Sequence, residues 1–430
     1  MELKKRIMHG LLWNSFASLG IQTLNFVTKI LIARILFPED FGLFAMAFLL
    51  INFLSIFIGF GIMNAVINKK EEYEKTKGTA LVLSMVTGIF LFVISFISSN
   101  FIADFFNQPL VGSMIKVLSM VLLFDSVSSI LHGILLKELE FKKKAVAEFF
   151  SVVFSSATVI VLAVYGFGVW SLVWAYIVQH FSILFFSWMM IKEKPKLLWD
   201  KEITKELLGF GKHILSISIV SWIVTSIDNI VVGKRLGDEP LGYYSMAFNL
   251  VALPVSSFTH LIMTVFYPIY AKLENDKERL KKAYLKPLEW SLVVMLPIAV
   301  FLFFIPEKTV IVILGQKWSA MVPLLRIFAL YCVFRTVCTI ISQVLTGAGK
   351  PKIAALVLGV ELCIIGILIV PGIYIVGLNG VALVIVFARG ISALLHVWAV
   401  QKIVNTTLSE YKDILVKKVI AVSFMIVVVF

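Results

Sequence analysis

The 430-residue chain has little charge: Asp, Glu, Lys and Arg make up only 15% of it, against 60% hydrophobic residues and a mean hydropathy of +0.97. Soluble domains carry roughly 45–50% apolar and about 25% charged residues, so the composition excludes an ordinary soluble fold and implies an integral membrane protein. Cysteine is nearly missing, with Cys332, Cys338 and Cys363 all inside apolar runs. The first two are separated by about 9 Å of helical rise, too far for easy bridging, and all three are expected to pack without a redox or metal role. There is no GxxxxGK[ST] phosphate loop and no HExxH helix. No loop is long enough to fold as a catalytic domain, because the longest connections, near 192–206 and 272–287, are short and Lys-rich. The chain is therefore expected not to be an enzyme, and no cofactor is expected.

What the sequence does have is long apolar runs. A helix crossing about 30 Å of hydrocarbon needs roughly 20 residues, and such runs lie near 10–36, 41–67, 79–99, 112–136, 145–165, 168–191, 207–233, 241–271, 288–306, 318–346, 353–371 and 377–401. These predict about twelve membrane helices. A further run, 414–430, reads as part of an additional helix. The first run is too long for a signal-peptide core and carries Asn14, Gln22, Asn25 and Lys29, so it is expected to remain in the mature protein. Asn100 to Pro109 reads as an amphipathic segment at the outer face.

The net charge of +13 does not call for nucleic acid. Lys and Arg crowd alternate connections, as at 4–6, 69–77, 137–144, 192–205, 272–286, 350–352 and 402–418, whereas the other set holds only Arg34, Lys234, Arg235, Lys308 and Lys317. By the positive-inside rule the N-terminus is cytoplasmic, and residue 402 returns to the same side.

The segment at 31–48, LIARILFPEDFGLFAMAF, is echoed at 231–248, VVGKRLGDEPLGYYSMAF. Leu36, Glu39, Gly42, Met46, Ala47 and Phe48 recur as Leu236, Glu239, Gly242, Met246, Ala247 and Phe248. The copies begin after an even number of crossings, so the repeat is parallel, and parallel repeats in transporters place the substrate site between two halves. An old duplication without functional meaning is the plainer alternative.

Polar residues fall on helical stripes. At about 100° per residue, Asn14, Ser18, Gln22, Asn25 and Lys29 share one face of the first helix. Ser218, Ser221, Thr225, Asp228 and Asn229 share one on the seventh, and Ser245, Asn249, Ser256, His260 and Thr264 one on the eighth. Small polar groups often serve interhelical hydrogen bonds, but an ionisable group near the midplane is costly and usually faces a cavity or a partner. Lys29, Arg335 and Arg389 are the candidate substrate cations, with Asn14, Gln22, Asn25 and Asn249 as polar contacts. Asp228, Asp125 with His132, and Glu361 with His396 are the candidate ion-coupling groups, for H+ or Na+. Glu361 and Arg389 read equally well as a structural ion pair. A cationic wet face implies an anionic substrate, since Lys and Arg bind phosphate through charge-assisted hydrogen bonds.

The pattern Lys4-Lys5 to Trp13-Asn14, the stretch Ala33-Arg34-Ile35-Leu36 with Phe41-Gly42, its second-half counterpart from Arg235 to Tyr244, and Leu345 to Lys352 (LTGAGKPK) resemble the polysaccharide transporter family. That family lies within the multidrug/oligosaccharidyl-lipid/polysaccharide flippase superfamily. The resemblance implies an all-α polytopic membrane protein of two six-helix lobes, 1–199 and 200–401, V-shaped around a central cavity, with 402–430 leading into an extra helix. It also implies alternating access and export of an undecaprenyl-diphosphate-linked oligosaccharide across the bacterial cytoplasmic membrane, for O-antigen, capsule, colanic or teichuronic acid. Membrane lipids and a glycan polymerase or other assembly proteins would be its partners, and the expected state is a monomer. A peptidoglycan lipid-precursor flippase and a multidrug antiporter are the alternatives within the superfamily. An integral-membrane polymerase is disfavoured by the short outer loops, and Lys29 on the first-helix stripe argues against cationic drugs.

Overall fold

The computed structural model describes residues 2–59, 72–273, 276–407, 409–412 and 414, and among these there is no strand. The helices are α1 (Glu2–Ile35), α2 (Pro38–Gly59), α3 (Tyr73–Phe106), α4 (Pro109–Leu118), α5 (Met120–Lys137), α6 (Phe141–Val164), α7 (Val169–Met190), α8 (Lys201–Leu236), α9 (Asp238–Lys272), α10 (Lys277–Phe304), α11 (Pro306–Ile313), α12 (Val322–Gly347), α13 (Pro351–Val376) and α14 (Leu378–Val404). A 3₁₀ turn, Gln316–Met321, precedes α12. Each of the twelve expected runs is met by one of these helices, the fourth by α4 and α5 in succession. Among the described residues nine helical spans are long and apolar enough to cross a membrane, and the chain is a multi-pass all-α membrane protein. Of the additional run at 414–430, residues 415–430 lie outside the described residues.

Local chemistry sets the boundaries. Asp200 caps α8 by accepting from the amides of Glu202 and Ile203 at 2.9 and 3.0 Å, and Asp276 caps α10 through the amide of Arg279 at 3.1 Å. Proline occupies the first turn of α4, α11, α12 and α13, where its missing N–H costs nothing. Two expectations need correction. The stretch 100–109 is not a separate interfacial segment: α3 runs unbroken to Phe106, Asn107 closes it at φ 57°, and Pro109 opens α4. Cys332 and Cys338 are buried in α12, but Cys363 is exposed on α13. It follows buried Glu361 by two positions, about 200° around the helix, and so points away from the packed side.

The chain divides into two compact units, one of 1–222 with 233–242 and one of 223–232 with 243–430. In the first, α6 packs most extensively on α7 and on α1, α5 packs on α7, and α3 on both α4 and α5. Its core joins Ala80, Leu81, Ile130, Leu131, Ile134 and Leu135 to Ile203 and Leu207. In the second, α13 packs on α14, α12 on α14, and α10 on α12. Its core centres on Tyr270, Tyr284, Leu288, Ile340, Ile341, Val344 and Val400. Counted by the order of membrane crossings, the fifth and sixth, the fourth and sixth, and the third and fourth members pair in each unit.

The two copies of the repeated turn both contribute to the first unit, and they meet there reciprocally. A Cβ on Gly42 would stand 1.8 Å from the carbonyl oxygen of Asp238, and one on Gly242 would stand 1.9 Å from that of Pro38. Residues 38 and 42 correspond to 238 and 242 in the repeat, so each glycine receives the backbone that opens the other copy. Gly42→Ala or Gly242→Ala should therefore lower thermal stability, overpacking costing about 1–3 kcal/mol. Gly359→Ala and Gly366→Ala, where nothing lies within 4 Å, should not. Melting followed by size-exclusion fluorescence checks this, and equal behaviour of all four variants would contradict the close approach.

Candidate functional site

Among the described residues, some ionisable side chains of the membrane helices meet a counter-charge or hydrogen-bond donors, and Lys29 and Arg335 meet no carboxylate. In the second unit, α13 and α14 bring Glu361 and Arg389 together: Arg389 Nη2 lies 2.9 Å from Glu361 Oε1. The carboxylate is 2% exposed, and a buried charge is tolerable only when paired. The open choice for this couple therefore falls to the ion pair, and Glu361 does not meet His396. That imidazole is buried on α14, with Nδ1 2.8 Å from the carbonyl oxygen of Ser392 one turn before it. Arg389 also reaches the Tyr331 hydroxyl at 3.4 Å and lies over its ring at 5.4 Å.

Tyr331 has a second cation on α12. The Arg335 guanidinium stands 5.9 Å from the Tyr331 ring centroid and 6.0 Å from that of Phe248. It is half-buried and, among the described residues, has no carboxylate partner. Aromatic faces stabilise a cation modestly and leave its N–H fork available for an anion. Asn249, next to Phe248, is exposed and its side-chain amide donates to the Ser245 carbonyl at 2.7 Å.

Asp228, also in this unit, is 3% exposed and has no cation beside it among the described residues. The Tyr244 hydroxyl donates to Oδ2 at 2.8 Å, while the Asn229 amide and side chain donate to Oδ1 at 2.8 and 3.0 Å. Three donors on one carboxylate compensate for much of its lost hydration. The side chains of His260 and Thr264 lie outside the described residues.

In the first unit Lys29 is half-buried on α1 and has no carboxylate partner among the described residues. Its neighbour Thr28 turns into the core and donates to Ser156 on α6 at 2.9 Å. One turn earlier on the stripe Asn25 is exposed, and Gln22 donates to Ser18 at 3.0 Å while its own Oε1 is buried without a partner. The side chain of Asn14 lies outside the described residues. Asp125 and His132 share a face of α5 as expected but do not bond each other. Asp125 Oδ1 meets His180 Nδ1 of α7 in a very short contact, and His132 Nε2 lies 3.1 Å from Ser187 Oγ of the same helix.

The sequence reading therefore missed Tyr331, Phe248, Tyr244, His180 and Ser187. Tyr331 and Phe248 could have been found from their helical registers, being four residues before Arg335 and one before Asn249. No signal within α5 alone points to α7. No group of three or more His, Cys, Asp or Glu side chains able to hold a metal occurs among the described residues.

Comparison with known proteins matches this architecture. A family model described as "Polysaccharide biosynthesis protein" covers residues 31–323. The teichuronic acid biosynthesis protein TuaB of Bacillus subtilis (strain 168) is 24% identical over 431 residues, spanning 100% of this chain and 89% of its own length. The lipopolysaccharide biosynthesis protein WzxC of Escherichia coli (strain K12) is 26% identical over 356 residues, 82% of this chain and 72% of that one. Among solved structures, the lipid II flippase MurJ in an inward closed conformation superposes with a TM-score of 0.81 at 18% identity, covering 97% of this chain and 93% of that chain. An inward-facing multidrug resistance MATE family transporter of the MOP superfamily gives a TM-score of 0.71 at 18% identity, with 90% and 98% covered. These structural likenesses establish a shared transporter fold, and the match over 31–323 establishes the lineage: the chain belongs to the polysaccharide biosynthesis protein family.

Proposed function

We propose that the protein is a flippase that moves an undecaprenyl-diphosphate-linked, anionic oligosaccharide from the inner to the outer leaflet of the bacterial cytoplasmic membrane for cell-surface polysaccharide assembly. One observation carries this reading: Lys29 and Arg335 are cations of the membrane helices with no carboxylate partner among the described residues, whereas Arg389 is neutralised by Glu361. An unpaired cation in hydrocarbon is costly, and the diphosphate of a lipid-linked sugar is a partner that can offset the cost through charge-assisted hydrogen bonds. The lipid tail stays in the bilayer, no covalent bond changes, and the chain works by exchange between two conformational states. The N-terminus lies on the cytoplasmic side, following the Lys-rich connections. Because the diphosphate is common to all such carriers, a peptidoglycan precursor would meet the same cations, and the glycan alone separates the two cargoes.

Lys29→Ala and Arg335→Ala should each abolish export while the protein remains in the membrane. Arg335→Lys should rescue partly, since the charge persists but the planar fork is lost. Surface polysaccharide in a strain lacking the endogenous gene is the measurement, and wild-type levels from both alanine variants would remove these residues from the site.

Coupling to an H+ or Na+ gradient is assigned to Asp228, whose position in the first half of the repeat is occupied by Thr28. Asp228→Asn preserves shape and most hydrogen bonding. In proteoliposomes it should bind the lipid-linked glycan yet no longer respond to an imposed ΔpH or sodium gradient. Gradient-driven transport at the wild-type rate would exclude Asp228 as the coupling group.

A further inference from the structure

The contacts of Asp125 and His132 define a pattern between α5 and α7. Asp125 pairs with His180, and His132 with Ser187. Moving from the first pair to the second advances seven residues on each helix, so the helices run parallel here and carry two polar rungs about 10 Å apart along the seam. Phe124 and Phe181 pack edge to face beside the upper rung, with ring centroids 5.6 Å apart.

The rungs differ in chemistry. The lower one joins an imidazole to a neutral hydroxyl, and Ser187 is 0% exposed, which is the arrangement of a register pin. The upper one joins two titratable groups, and its His180 and Asp125 side chains are 15% and 23% exposed. We infer that the Asp125–His180 rung is a proton-binding site of the first unit, while the His132–Ser187 rung is a fixed structural contact. This rests on the transport reading above and adds to it a second ionisable site, with a proton as its ligand.

A proton suits the rung better than a metal cation does. Hard cations need several oxygen ligands, but Asp125 Oδ1 is taken by a ring nitrogen. The nearby Ser128 and Ser129 hydroxyls donate to carbonyls of their own helix at 3.4 and 3.1 Å. Uptake of one proton from water converts a carboxylate beside a neutral imidazole into a carboxylate–imidazolium pair. Release returns the proton to water and leaves the carboxylate beside neutral imidazole, a charge costly to keep in a membrane. The occupied state thus holds α5 to α7 more strongly than the empty one.

The surroundings leave this pair to respond largely by itself. From α7, the Tyr176 ring packs against His180 at a 50° tilt with centroids 4.3 Å apart, and is backed by Phe44 and Phe48 of α2 at 6.2 and 5.4 Å. From α6, Lys144 and Glu148 neutralise each other at 2.5 Å and act on His132. The titratable residues of α3 sit in its first two turns and at Asp104, and the α4 residue Lys116 lies over the Phe96 ring at 5.9 Å.

The test uses full-length protein in lipid nanodiscs with ¹⁵N-histidine, whose six residues keep the spectrum simple. The His180 ring, assigned with His180→Gln, should gain and lose a proton as the pH is varied. In Asp125→Asn that transition should move, because the opposite charge is gone. Ser187→Ala should leave the His180 transition in place. The neutral rung Asp125→Asn/His180→Gln keeps a hydrogen bond across the seam, so it should match the wild-type melting temperature while losing the pH dependence of export. A His180 ring that does not titrate, or that titrates identically in Asp125→Asn, would overturn the site, as would an unchanged export pH profile in the neutral rung. None of those outcomes touches the export assay on Lys29 and Arg335, so failure of the proton site and failure of the flippase reading are separable.

Discussion

The cost of keeping charge in hydrocarbon organises the interior of this protein. Each embedded ionisable side chain must find a counter-charge, a set of hydrogen-bond donors or a ligand. Glu361 takes Arg389, Asp228 takes Tyr244 and Asn229, and Asp125 takes His180. Once those assignments are made, Lys29 and Arg335 stand apart because no carboxylate among the described residues answers them. The proposed anionic cargo is inferred from that uncompensated charge, which a phosphate can answer through charge-assisted hydrogen bonds.

Much of the fold was legible in the sequence because length and hydropathy act through one helix at a time. Each of the twelve runs is met by a helix among the described residues, and the helix ends follow from prolines, Asp caps and left-handed residues such as Asn107. The polar faces were legible too, since 3.6-residue periodicity fixes the angular position of Lys29, Asp125 or Arg335 on its own helix. Pairing between helices was not. Asp125 and His132 share a face of α5, yet the shared face meets α7, and a sequence carries no direct statement of how far one helix slides along its neighbour. His180 sits among aromatics, in VWAYIVQHFSILFF, and reads there as a packing residue.

The repeated turn shows the same division. Its sequence echo marked Gly42 and Gly242 as equivalent, but only coordinates reveal why neither carries a side chain: each lies against the backbone of the other copy's opening residue. Equivalence in sequence here becomes reciprocity in space, a contact that any Cβ would break. By contrast Asp228 and Thr28 are equivalent in sequence and chemically unlike, with Thr28 hydrogen-bonded to Ser156 and Asp228 to Tyr244. The two copies thus share a frame while their polar positions differ in chemistry.

The most direct test of the central claim is lipid binding measured by native mass spectrometry on the purified full-length protein, comparing undecaprenyl diphosphate with uncharged undecaprenol. Wild-type protein should retain the diphosphate lipid at least about tenfold more tightly, equivalent to about 1.4 kcal/mol. The Lys29→Ala/Arg335→Ala double variant should lose that preference while binding undecaprenol as before. The same discrimination in the double variant would contradict the assignment of these two cations to an anionic cargo.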